Sequence, residues 1–143
     1  MNIGAEFVSR RRDDASVTRV EPELWVGDPT MAIDFYVRAF GATVVHRVGQ
    51  GNEIVAQLAV GDARFWVSNS GADRLDPVIV GATTSRTLLV TVDPDVVVAH
   101  AVEAGAQEVS GVKDEHGWRL GRVIDPAGHE WEIGHPLGDW PPT

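Results

Sequence analysis

The 143-residue sequence predicts an α+β fold built from two tandem βαβββ modules, and three observations lead there. An Asp-Pro pair at Asp28-Pro29 recurs 65 residues later at Asp93-Pro94. A Gly-Ala pair at Gly41-Ala42 recurs 64 residues later at Gly105-Ala106. Each pair of marks brackets a helical stretch that follows one strand-like run and precedes others. Two punctuation marks in register at nearly one offset indicate an internal duplication.

The first strand is read from alternation over Glu21–Val26. Pro22, Leu24 and Val26 take one face, while Glu21, Glu23 and Trp25 take the other, and the early proline suits a strand start or an edge. Asp28 then caps a helix whose first position is Pro29, where a missing N–H costs nothing. Ala32, Phe35, Tyr36, Ala39 and Phe40 recur at helical spacing, and Gly41 supplies a left-handed exit. Three β-rich runs follow at Thr43–Val48, Ile54–Val60 and Ala63–Ser68, separated by Gly49–Gly51 and by Gly61-Asp62. The second module reads as a strand at Thr87–Val92, a helix from Val97 through Ala104, and strand-like runs at Leu120–Ile124 and Glu130–Gly134. These boundaries divide the chain into an arm (1–18), a domain (19–137) and a tail (138–143). Within the domain, module one spans 19–70, a Gly/Asp/Pro/Thr-rich linker spans 71–85, and module two spans 86–137.

Composition narrows the function classes. Hydrophobic residues make up 43% and charged residues 23%, ordinary values for one folded domain. There is no cysteine, so thiol chemistry and thiolate metal sites are excluded. No apolar run is long enough for a membrane helix, and the N-terminus lacks a signal-peptide core, so a cytoplasmic protein with no membrane partner is expected. Acids outnumber bases 21 to 12, giving a net charge of −9. That balance argues against nucleic acid as a partner and mildly favours cationic ligands. Arg10-Arg11-Arg12 followed by Asp13-Asp14 reads as a solvated arm. His46, His100, His116, His129 and His135 read as surface or turn residues, since none forms a recognised ligand pair; His129 is placed to hydrogen-bond the Asp125-Pro126-Ala127-Gly128 turn. No phosphate loop, nucleophile elbow or Ser/His/Asp arrangement is present.

Two stretches carry a family resemblance. Val26-Gly27-Asp28-Pro29 through Phe35-Tyr36 and Ala39-Phe40-Gly41-Ala42 resembles the first helix of the vicinal oxygen chelate superfamily, which holds glyoxalase I, bleomycin-resistance proteins and extradiol dioxygenases. Gly117-Trp118 and Gly121–Glu132 resemble its closing hairpin, especially in the PhnB-like branch. The resemblance implies that the modules' sheets form a curled mixed-sheet cup around a small molecule. In metal-dependent members each module's first and last strands supply the ligands. Those positions fall here on Glu21, on Trp66 or Ser68, on Thr87 or Arg86, and on Glu132. Thr, Arg, Trp and Ser are poor ligands for a divalent ion, so no metal or other cofactor is expected; a divalent metal held by the carboxylates is the alternative.

The resemblance also turns Glu21, Glu23, Glu130 and Glu132 toward the cup, with Trp25, Trp66, Ser68, Thr87, Leu89 and Trp118 beside them as ligand-binding residues. Clustered carboxylates repel, so either one stays protonated or a cation sits among them. Aromatic walls stack planar ligands and attract cations. Trp131 is read as core because it alternates with Ile133, and Trp140 as a cover over a surface or a dimer seam. Arg64, Arg119 and Arg122 are candidate anion receivers. The leading expectation is a metal-independent protein of the bleomycin-resistance (antibiotic-resistance) type that sequesters a planar or cationic ligand. The alternative is a metal-dependent glyoxalase-like lyase, isomerase or dioxygenase using Glu21 and Glu132. A homodimer is expected, because a cup of two short sheets leaves edges and apolar surface for a second copy to cover.

Overall fold

The computed structural model describes residues 17–51 and 53–143. The basic and acidic clusters at 10–14 lie outside the described residues, as does most of the arm. Eleven elements follow in order: β1 (Glu23–Val26), α1 (Pro29–Phe40), β2 (Thr43–Val48), β3 (Val55–Val60), β4 (Ala63–Asn69), α2 (Pro77–Val80), β5 (Arg86–Val90), α3 (Pro94–Glu103), β6 (Gln107–Glu115), β7 (Trp118–Ile124) and β8 (Glu130–Pro136). They form two mixed four-stranded sheets of identical topology, β1-β4-β3-β2 and β5-β8-β7-β6. In each sheet the first strand pairs parallel with the last, and the other pairings are antiparallel. The duplication read from punctuation is therefore a duplication of architecture.

Local chemistry explains the helix starts. The Asp28 carboxylate accepts from the Met31 N–H, and Asp93 accepts from Val96 N–H, so each satisfies a donor that a helix start leaves open. Gly41 closes α1 at φ 68°, while α3 ends on Ala104 in ordinary helical geometry before Gly105 turns the chain at φ 118°. Two features depart from the expected outline. Part of the linker forms the single turn α2, capped by Asp76, whose carboxylate accepts from Val78 and Ile79 N–H and from Ser70 Oγ. The Ser70 hydroxyl, ahead of the two amides, holds Asp76 below the usual carboxylate range. The second departure is β6, the longest strand, whose sequence QEVSGVKDE offers no apolar alternation. Two register shifts break its pairing with β7, and the strand lies on the sheet edge, so no clean inward and outward period exists to read.

The core joins the modules. Phe35, Tyr36, Ala39, Phe65, Val67, Ala101, Val123, Trp131 and Ile133 are all buried. Phe65 on β4 and Trp131 on β8 have ring centroids 5.7 Å apart, and Tyr36 packs against both at 5.3 and 5.5 Å. Trp131 also touches Phe40 at 4.8 Å, and the Arg38 guanidinium donates to the Ala104 carbonyl at the end of α3. The helix-bearing faces of the two sheets are thus turned toward each other, with α1 and α3 in contact between them. Beneath the rings lies Asp125, only 3% exposed. It accepts from Tyr36 Oη (2.5 Å), Trp131 Nε1 (2.8 Å), Ala127 N–H (2.8 Å) and His129 N–H (3.0 Å). Burial first, then the neighbouring Asp125 charge, pushes the Tyr36 hydroxyl well above its ordinary value. Among the described residues, no helix is long and apolar enough to cross a membrane.

Candidate functional site: an acid and indole wall

Since the helix-bearing faces form the core, the other face of each sheet is turned outward. On sheet one, alternation places Glu23 and Trp25 of β1 outward, while Leu24 and Val26 are buried. Pairing with β4 sets Glu23 opposite Trp66 and Trp25 opposite Ser68, and the ladder continues one step earlier through the Trp66 N–H to the Pro22 carbonyl. Glu21 therefore reaches the same face. Its carboxylate accepts from Gln57 Nε2 (2.7 Å) and Trp66 Nε1 (2.9 Å) and is ion-paired with Arg19. Glu23 accepts from Ser68 Oγ (2.8 Å) and Trp25 Nε1 (2.9 Å). Each carboxylate is fixed by one indole N–H, so acids and rings form one wall with locked orientations. The Arg19 hydrogen bond, ahead of those from Gln57 and Trp66, holds Glu21 below the usual carboxylate range despite partial burial.

Sheet two presents a different outward face. Arg86 lies opposite Glu130, Leu88 opposite Glu132, and Glu132 opposite Arg122. The Arg86 guanidinium reaches Glu130 at 3.4 Å and Glu132 at 3.8 Å, and Arg122 reaches Glu130 at 3.7 Å. The four glutamates are thus divided two and two between the sheets, with the first pair held by indoles and the second by guanidinia. Thr87 and Leu89 lie opposite Trp131 and Ile133 and face inward. Both line a cavity of about 410 Å³ between the modules, at whose mouth Glu21 also stands. Trp118 stands apart from the sheet-one wall: it begins β7 opposite Pro136 and packs edge-to-face on Trp140 of the tail at 5.2 Å. His129 bonds the turn through its N–H and joins the modules through its ring Nε2 at 2.8 Å from the Trp25 carbonyl oxygen. Arg119 is committed to Asp95 and Asp114.

Donor chemistry decides whether the resemblance's metal positions fit an ion. Of Thr87 and Arg86, only Arg86 shares a face with Glu132. A guanidinium has five N–H donors and no free lone pair, and it brings the positive charge an ion would bring. Glu21 already accepts from three groups. No three of His, Asp and Glu among the described residues stand close enough to share an ion. The positions that the resemblance assigns therefore do not together offer the donor set of a divalent-metal site.

Sequence reasoning missed Gln57, Arg19 and the role of Arg86. Gln57 was legible in principle, because it is the polar residue outward between buried Ala56 and Leu58. Arg19 lies before any regular period, so nothing local announced it.

Known proteins of this architecture exist. TioX from a Micromonospora species superimposes with a TM-score of 0.69 at 28% identity, covering 85% of this chain and 100% of that one. TnmS3, an antibiotic binding protein from a Streptomyces species, gives a TM-score of 0.67 at 22% identity over 86% of this chain and 99% of its own. An uncharacterized protein of Mycobacterium tuberculosis is 34% identical over 126 residues, covering 82% of this chain and 74% of the relative. The family model for the glyoxalase/bleomycin resistance protein/dioxygenase superfamily matches residues 17–133. With that match added to the doubled βαβββ architecture, the chain belongs to the glyoxalase/bleomycin resistance protein/dioxygenase superfamily.

Proposed function

We propose that this protein binds a planar, cationic small molecule without a metal, and that the sheet-one wall of Glu21, Glu23, Trp25 and Trp66 is the recognition surface. The observation that carries the reading is the pairing of each carboxylate with an indole N–H. Two flat rings beside two oriented carboxylates, of which Glu21 already carries the Arg19 ion pair, offer stacking and cation–π attraction together on one face. Arg86 and Arg122 take the place of an ion at the second carboxylate pair, which supports metal independence. TnmS3, which shares the fold, is an antibiotic binding protein, which supports small-molecule binding in general.

The wall is open in a single chain. Trp25 is 36% exposed, Leu88 45% and Val90 55%, so both outward faces carry apolar surface suited to cover. A homodimer that sets sheet one of one protomer against sheet two of its partner closes the site and supplies Leu88, Glu130 and Glu132 as the opposite wall. The experiment is a tryptophan fluorescence titration with bleomycin and with the planar cation proflavine. Saturable quenching is expected, weakened about tenfold by Glu21→Gln and by Trp66→Phe, equivalent to about 1.4 kcal/mol each. Quenching that neither substitution alters would contradict the assignment.

A further inference from the structure

The cavity between the modules meets the wall at Glu21 and extends behind it, without Glu23, Trp25, Trp66 or Ser68 in its lining. Its floor is Leu24, Phe65, Leu89 and Trp131, all on the inward sides of their strands, and its lining draws on β1 and β5, the edge strands of the two sheets. At about 410 Å³ it falls in the range of sites that enclose a small organic ligand. Apolar cavities of roughly 150 Å³ stay dry and take up benzene. One nearly three times larger suits a molecule of two or three aromatic rings. Charge at the mouth is balanced, with Glu21 and Asp62 against Arg19 and Arg64. A ligand with net charge therefore gains nothing on entry, whereas a neutral one leaves those groups in place.

We propose that this inter-module cavity is a second binding site, for a neutral two- or three-ring aromatic molecule, whose apolar floor lies behind the acid and indole wall and meets it only at Glu21. Its position gives it a consequence beyond storage. The floor joins β1 and β4 of one module to β5 and β8 of the other, so an occupant bridges the two halves at the same Phe65–Trp131 contact that holds them together.

The test uses N-phenyl-1-naphthylamine, a neutral dye that fluoresces when removed from water, added to the full-length protein. A saturable signal at one dye per chain is expected. Leu89→Trp and Thr87→Phe each fill the floor, and each should weaken binding at least about tenfold while the thermal midpoint holds or rises. Excess proflavine should leave the dye in place. Absence of saturable binding, retention of full affinity in both folded variants, or stoichiometric displacement by proflavine would each overturn the proposal. Failure of proflavine to bind anywhere would count against the wall and leave the dye measurement to judge the cavity alone.

Discussion

Glu21 shows how much one side chain can organise. It lies outside every regular strand, yet it gathers Arg19, Gln57 and Trp66 around one carboxylate. Because these partners favour the charged form, the arrangement is complete above the ordinary glutamate range near pH 4 and is lost as pH falls through the lower folded-state value. Trp66 fluorescence should therefore change in that acidic window, and Glu21→Gln should remove the transition. Asp125 carries the larger energetic consequence. Asp125→Ala would strand the Tyr36 hydroxyl, the Trp131 N–H and two backbone N–H groups, and should cost about 3 kcal/mol in urea denaturation. Tyr36 is the chain's one tyrosine, so tyrosinate absorbance reports it alone. Its raised value means that stability is fully present below the unfolded tyrosine value of about 10 and is lost as pH rises toward the folded one. Absorbance should appear only with unfolding, and Tyr36→Phe should flatten the alkaline decline.

Among elements, those with chemistry at their ends were the most legible in the sequence. Asp-Pro fixed the entry of α1 and α3 because an Asx cap and an N1 proline act locally, with no help from tertiary contacts. Asp28→Ala and Asp93→Ala should each cost about 1 kcal/mol by thermal denaturation. β1 and β8 were legible because one face is buried and the other polar, which writes a period of two into the residues. β6 was not, since its exposed, bulged edge needs no such period. α2 was missed for a related reason: one capped turn with exposed Val78, Ile79 and Val80 has no buried stripe to betray it.

At the scale of the whole molecule, the duplication was readable while the relation between the two copies was not. Alternation says which residues share a strand face; it does not say which faces of two sheets meet. The aromatic cluster of Tyr36, Phe40, Phe65 and Trp131 decides that, and it brings the helix-bearing faces together. The candidate site was correspondingly half legible. Glu21, Glu23, Trp25, Trp66 and Ser68 form one surface, while Thr87 and Leu89 turn inward. If a second protomer completes the site, sedimentation velocity should give a dimer. Leu88→Glu should shift it toward monomer and weaken proflavine binding about tenfold, since a further carboxylate would be buried against the acid and indole wall.

Metal-free recognition of a cation by the carboxylate and indole wall is most directly tested by calorimetric titration of chelator-stripped protein with proflavine. Saturable binding is predicted, with the same affinity after zinc, nickel or iron is restored, and abolished in the Glu21→Gln, Glu23→Gln double variant. Binding that appears only when a divalent ion is returned, or heat that is identical in the double variant, would contradict it.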